Sequence, residues 1–106
     1  MNDRDAAVAD VLRAVWCRHR EAVITDLAEL IGALARWNEG ARSGDLAAEI
    51  RVRSHRIRGS LTMVGHTEGT DDLRAIEERS DDDQDPYATE AVEPIHGLLE
   101  HLRIAD

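Results

Sequence analysis

Apolar residues recur at spacings of three and four along most of this chain, and that rhythm leaves little choice of fold. Val23, Leu27, Leu30, Leu34 and Trp37 follow one another at spacings of 4, 3, 4 and 3, and Val92, Ile95, Leu99 and Leu102 at 3, 4 and 3. Residues spaced this way share one side of an α-helix, whereas a half-buried strand would bury alternate positions. The rest of the composition agrees. There are two Pro, seven Gly and no Phe in 106 residues, so the core must be aliphatic and the chain reads as all-α. A chain of this length supports one core, and residues 1–106 are expected to form a single domain.

The helix boundaries follow from caps and breakers. Helical periodicity runs from about Asp5 to Trp37. It reads as one long helix, or as a short extra N-terminal helix and a long one, with Arg18-His19-Arg20 as the polar weak point. Residues 38–44 hold two glycines and make a turn; Ser43 or Asp45 then caps a helix that runs to about Val64 and stops at Gly65. A third helix is predicted from Thr70, with the Thr70 hydroxyl as its cap and Asp71 and Asp72 at the positive end of its dipole. The acidic run Ser80-Asp81-Asp82-Asp83-Gln84-Asp85 ends it as a solvated loop. In the last helix Pro94 marks either a kink or the true start. Four amphipathic helices with short connections predict an antiparallel up-and-down four-helix bundle.

Charge and targeting signals narrow the function. A net charge of −9 argues against nucleic acid and anionic membrane surfaces as partners, although all thirteen cationic side chains are Arg. The single Cys17 has no internal disulfide partner. The opening residues Asn2, Asp3 and Asp5 lack the basic and apolar regions of a signal peptide, and no stretch approaches the roughly 20 apolar residues of a membrane span. The expectation is a soluble, cytoplasmic protein.

One histidine stands apart. At about 100° per residue, Leu46, Ile50, Ile57, Leu61 and Val64 form a buried stripe on the second helix, and His55 lies about 180° from Leu46, facing outward. Arg51 and Val52 lie one turn before it, Arg58 and Gly59 one turn after, and Thr62 beyond. A mid-helix glycine costs about 1 kcal/mol against alanine. Gly59 is explained if it keeps the approach to His55 clear for another protein. Arg51, Arg53, Arg56 and Arg58 add a basic stripe to an otherwise acidic chain.

The segment His55-Arg56-Ile57-Arg58-Gly59-Ser60, with Gly65 and then Ile76-Glu77, resembles a histidine-containing phosphotransfer (Hpt) domain. That family's pattern reads roughly His-x-Leu-Lys-Gly-small, then Leu-Gly, then Leu-Glu. The Gly44-Asp45-Leu46 opening is also similar, so the resemblance spans residues 44–77. Ser54, Ile57 and Arg58 stand for the commoner Ala, Leu and Lys, His66 falls at a small or aliphatic position, and Gly69 at a common leucine. The resemblance implies a phosphorelay shuttle, in which His55 takes a phosphoryl group from a receiver-domain aspartate and passes it to another receiver.

As a neutral imidazole, His55 would be the nucleophile. Arg51 and Arg58 would oppose its protonation, and Arg58 would neutralise the attached phosphoryl group. Ala48, Arg51, Val52, Arg56 and Thr62 would form the docking face, the arginines steering it toward an acidic receiver pocket. Response-regulator receivers, or a hybrid histidine kinase, would be the partners of a monomeric protein. No cofactor of its own is implied, because no phosphate loop is present and the magnesium would belong to the receiver.

Two rival readings share the same residues. Ser54-His55-x-Ile57-Arg58-x-x-Leu61-Thr62 is similar to the phosphoacceptor box of sensor-kinase dimerisation helices, which implies a dimeric phosphotransferase. A plain helical adaptor that binds a receiver domain without phosphorylation is the other. No metal site is expected: Glu93 and His96 have the Glu-x-x-His spacing of a di-metal bundle site, but no second copy exists. His19 and His101 read as surface or boundary residues. His66 reads as a helix-terminal residue or a border of the docking face.

Overall fold

The computed structural model describes residues 3–63, 65–67, 69–79 and 85–104. Those residues fold into four helices with no strand: α1 (Asp3–Asn38), α2 (Gly44–Met63), α3 (Thr70–Glu77) and α4 (Thr89–Ile104). The apolar stripes face one another. Val23, Leu27, Leu30, Leu34 and Trp37 of α1 are buried with Leu46, Ile50, Ile57 and Leu61 of α2, Leu73 and Ile76 of α3, and Ile95, Leu98, Leu99 and Leu102 of α4. Each helix packs on two others: α1 and α3 both touch α2 and α4. Among the described residues no helix is long and apolar enough to cross a membrane.

α1 is a single helix of 36 residues. Arg18-His19-Arg20 does not interrupt it, because Arg18 and His19 face solvent and Arg20 has a structural task. The Arg20 guanidinium donates to the Leu102 carbonyl, with Nε at 2.9 Å, and to the Arg103 carbonyl at 3.2 Å. These belong to the last turn of α4, where carbonyls lack intrahelical donors, so one arginine of α1 caps α4. At the other end of α1, Trp37 Nε1 donates to the Asp85 carbonyl at 3.0 Å, and the Asn38 side chain bonds both backbone groups of Tyr87.

α2 begins and ends as its sequence predicts. The Ser43 hydroxyl accepts the Leu46 N–H at 3.1 Å. At the other end Gly65 adopts φ +76°, while His66 N donates to the Leu61 carbonyl and Gly65 N to that of Thr62, a Schellman closure. Val64, expected at the end of the buried stripe, lies outside the described residues. So do Ser80 to Gln84, the acidic run apart from Asp85.

α3 starts at Thr70 but not by the cap expected. The Thr70 hydroxyl donates backward to the Thr67 carbonyl at 2.8 Å, and no side chain caps the helix. Gly69 makes the entry with φ +80°, and a Cβ there would stand 2.9 Å from Leu98 Cδ2. Glycine at this position leaves room for the Leu98 side chain of α4. Pro94 sits inside α4, beyond its first turn, rather than at its start. The carbonyl it leaves without a helical donor belongs to the exposed Glu90.

Candidate functional site

The register that buries Ile50, Ser54, Ile57 and Leu61 turns His55 outward. Ser54 is the only buried polar side chain among the described residues, and its hydroxyl donates to the Ile50 carbonyl at 2.8 Å, so the hydroxyl brings no unpaired group into the core. The His55 side chain is 69% exposed. Ala48, Val52, His55, Gly59 and Thr62 lie along one strip at spacings of 4, 3, 4 and 3, and every one is at least partly exposed. Nothing stands within 4 Å of where a Gly59 Cβ would be, so the approach to the imidazole is open. Met63, not foreseen as part of this face, is 59% exposed at its end.

The imidazole is held from the next helix. His55 Nδ1 lies 2.6 Å from Oε1 of Glu77, the last residue of α3. The other carboxylate oxygen accepts Arg58 Nε at 2.9 Å and Nη2 at 2.7 Å. Burial works against the Glu77 charge, yet the hydrogen bonds from Arg58 and His55 and the positive charge of the Arg58 guanidinium hold its pKa below the ordinary carboxylate range. An ionised carboxylate only accepts hydrogen bonds. The short contact therefore requires the proton on Nδ1, which gives Nε2 the lone pair in the neutral ring. Among the described residues Nε2 has no hydrogen-bond partner.

The arginines do not form the continuous basic stripe expected. Arg58 is turned to Glu77, with Nη2 3.4 Å from Nδ1, so its charge sits behind the imidazole rather than beside Nε2. Arg53 is largely covered and faces α1, paired with Asp26 at 3.2 Å and Glu29 at 2.6 Å. Arg56 also turns toward Asp26, at 3.7 Å, which takes it to the α1 edge and off the His55 strip. Arg51 is half-buried one turn before His55. Of the residues singled out by sequence, the structure brings Ala48, Val52, His55, Gly59 and Thr62 onto one face, with Arg58 behind it.

Glu77 is the residue whose role sequence reasoning missed. It appears in the resembled motif only as a marker after Ile76. The usable signal was positional: Leu73 and Ile76 must face the core, and Glu77 then falls one step around α3. The other histidines stay apart. His66 leaves the α2 face and packs on Trp16 and His101, with ring centroids 5.3 and 6.0 Å away. Among the described residues no group of three or more potential metal ligands forms, and His96 is exposed.

No family model, curated protein or solved structure matches the chain.

Proposed function

We propose that this protein is a phosphorelay intermediate, an Hpt-like domain that carries a phosphoryl group on His55. The observation that carries the reading is the exposed imidazole whose Nδ1 is held by Glu77 while Nε2 is left without a hydrogen-bond partner among the described residues. The cyclic packing of the helices supports an antiparallel up-and-down four-helix bundle around this site. So do the pairs Arg36–Glu49 and Arg53–Glu29, which join α1 to α2, and Arg20–Leu102 and Asn38–Tyr87, which join α1 to the α4 region, each in opposite running order.

In the reaction, the Nε2 lone pair attacks the phosphorus of a receiver aspartyl phosphate. The P–N bond forms as the bond to the aspartate oxygen breaks, and the aspartate leaves as a carboxylate. The ring keeps its Nδ1 proton and gains positive charge, which the Glu77 carboxylate stabilises at 2.6 Å. Transfer onward reverses these steps at a second receiver. Arg58 acts as a positioning residue that fixes Glu77. Ala48, Val52, Thr62 and Met63 supply apolar and small contacts around the histidine for the receiver surface.

The test is incubation with a phosphorylated receiver and magnesium. An acid-labile, base-stable phosphoryl group is expected on the wild type and absent from His55→Gln. Full labelling of His55→Gln would overturn the assignment.

A further inference from the structure

The N-terminal part of α1 extends past the other helices. α1 has 36 residues, about 54 Å at 1.5 Å per residue, and it sets the 53 Å long dimension of the molecule. The next longest helix has 20 residues. The first α1 side chain packed against the core is Trp16; Ala9, Leu12 and Arg13 only border an open pocket with Gly65 and His66, and the helix before them runs on past the other elements. That stretch is not polar. Val8 is 54% exposed, Val11 61% and Leu12 38%, and with the half-buried Val15 they fall within about 100° of one another around the helix.

The order of residues says what would cover this face. In two antiparallel copies centred between Val11 and Leu12, Val8 meets Val15 of the second copy and Val11 lies level with Leu12. Ala7 falls level with Trp16, small against large. The charges follow the same centre: Asp5 and Asp10 precede it, and Arg13 and Arg18 follow it. An antiparallel pair sets the acidic half of each helix against the basic half of the other, and a parallel pair would set like on like. From this twofold self-complementarity we infer that the overhanging part of α1 pairs antiparallel with the same segment of a second copy.

The sequence alone gave the expectation of a monomer; the overhang points to an isologous dimer joined end to end. Four apolar side chains per copy are far fewer than the roughly 20–30 residues a side of a standard interface, so this dimer dissociates on dilution. It leaves the His55 face open, and it differs from a sensor-kinase dimer, which joins through the histidine-bearing hairpin itself. The inference is independent of the phosphorelay reading.

Sedimentation equilibrium over a range of concentrations is expected to show a mass rising from 11.8 kDa toward twice that value. Val8→Glu with Val11→Glu should remain at the monomer mass with unchanged helical circular dichroism. A wild type monomeric at every concentration, or a double variant that still dimerises, would overturn the inference. Register is read in a Cys17→Ser background. Val8→Cys mixed with Val15→Cys should cross-link on oxidation, while Val8→Cys alone should not. Cross-linking of Val8→Cys alone would mean a parallel pair and would also overturn it.

Discussion

Glu77 ties the chemistry of His55 to the packing of α3 on α2, so its replacement separates charge from geometry. Glu77→Gln keeps a carbonyl that can accept the Nδ1 proton but removes the charge that, on the proposed function, would balance a phosphorylated ring. Glu77→Ala removes both. Phosphotransfer is expected to fall about tenfold in the first and toward a hundredfold in the second, the range seen when a carboxylate behind a metal-bound imidazole is lost. Rapid-quench transfer rates, with ¹⁵N spectra of the His55 ring reporting the tautomer, check this. Equal rates in all three proteins would leave the contact structural. Stability carries a pH signature as well. Because the folded-state pKa of Glu77 is lowered, its stabilisation is present above the ordinary carboxylate pKa and is lost as pH falls through the folded value. Urea unfolding of wild type and Glu77→Gln should therefore differ at neutral pH and converge in acid. The position of His55 was legible in the sequence because helical periodicity fixes which side of α2 is buried. Its partner was not, because which residue of α3 reaches Nδ1 depends on how two helices dock, and one helix's periodicity carries no such information.

Among the helices and their junctions, two glycines give the same substitution opposite signs. Gly59 is in the middle of α2 with open space around it, so Gly59→Ala should raise stability by up to about 1 kcal/mol. Gly69 has φ +80° and faces Leu98 closely, so Gly69→Ala should cost about 1–2 kcal/mol, mostly from the left-handed backbone, since the tip of a leucine side chain can shift. Thermal or urea denaturation of the two variants tests both signs. Gly59→Leu should fold yet slow transfer, because its side chain occupies the approach to Nε2; a normal rate would remove the steric role. The legible parts of the fold were those set by local physics: the apolar stripes, the Ser43 cap and the Gly65 stop. The Thr70 cap was not legible, and two points the sequence left open, the continuity of α1 and the place of Pro94, are decided by tertiary contacts. α1 continues through Arg18-His19-Arg20 because Arg20 caps another helix. Thr70 gives up its cap because Gly69 already turns the chain onto Leu98. α4 starts before Pro94 because the segment ahead of it is anchored on Asn38 and Trp37 at the end of α1.

For the whole molecule, the distribution of charge decides how a receiver would approach. The sequence suggests a basic stripe that steers toward an acidic pocket, and such steering weakens as salt rises. In the fold, Arg53 and Arg56 face the acids of α1 and Arg58 faces Glu77. Their fields are largely cancelled within a few ångströms. What remains at longer range is the net charge of −9, and what remains around His55 is the half-buried Arg51 with Ala48, Val52, Gly59, Thr62 and Met63. An acidic body meeting an acidic pocket is repelled at distance, and apolar contact is left to hold the complex together. Transfer from a phosphorylated receiver should therefore stay flat or quicken as ionic strength rises to physiological levels, where screening acts over about 8 Å. Val52→Glu should slow it more than Arg56→Ala does, because Val52 lies on the strip and Arg56 at its α1 edge. Stopped-flow transfer rates across a salt series, with the two variants run alongside, carry the test. A steep loss of rate with salt, together with a strong Arg56→Ala defect, would mean that the arginines leave their α1 partners to meet the receiver, and docking would then be electrostatic after all.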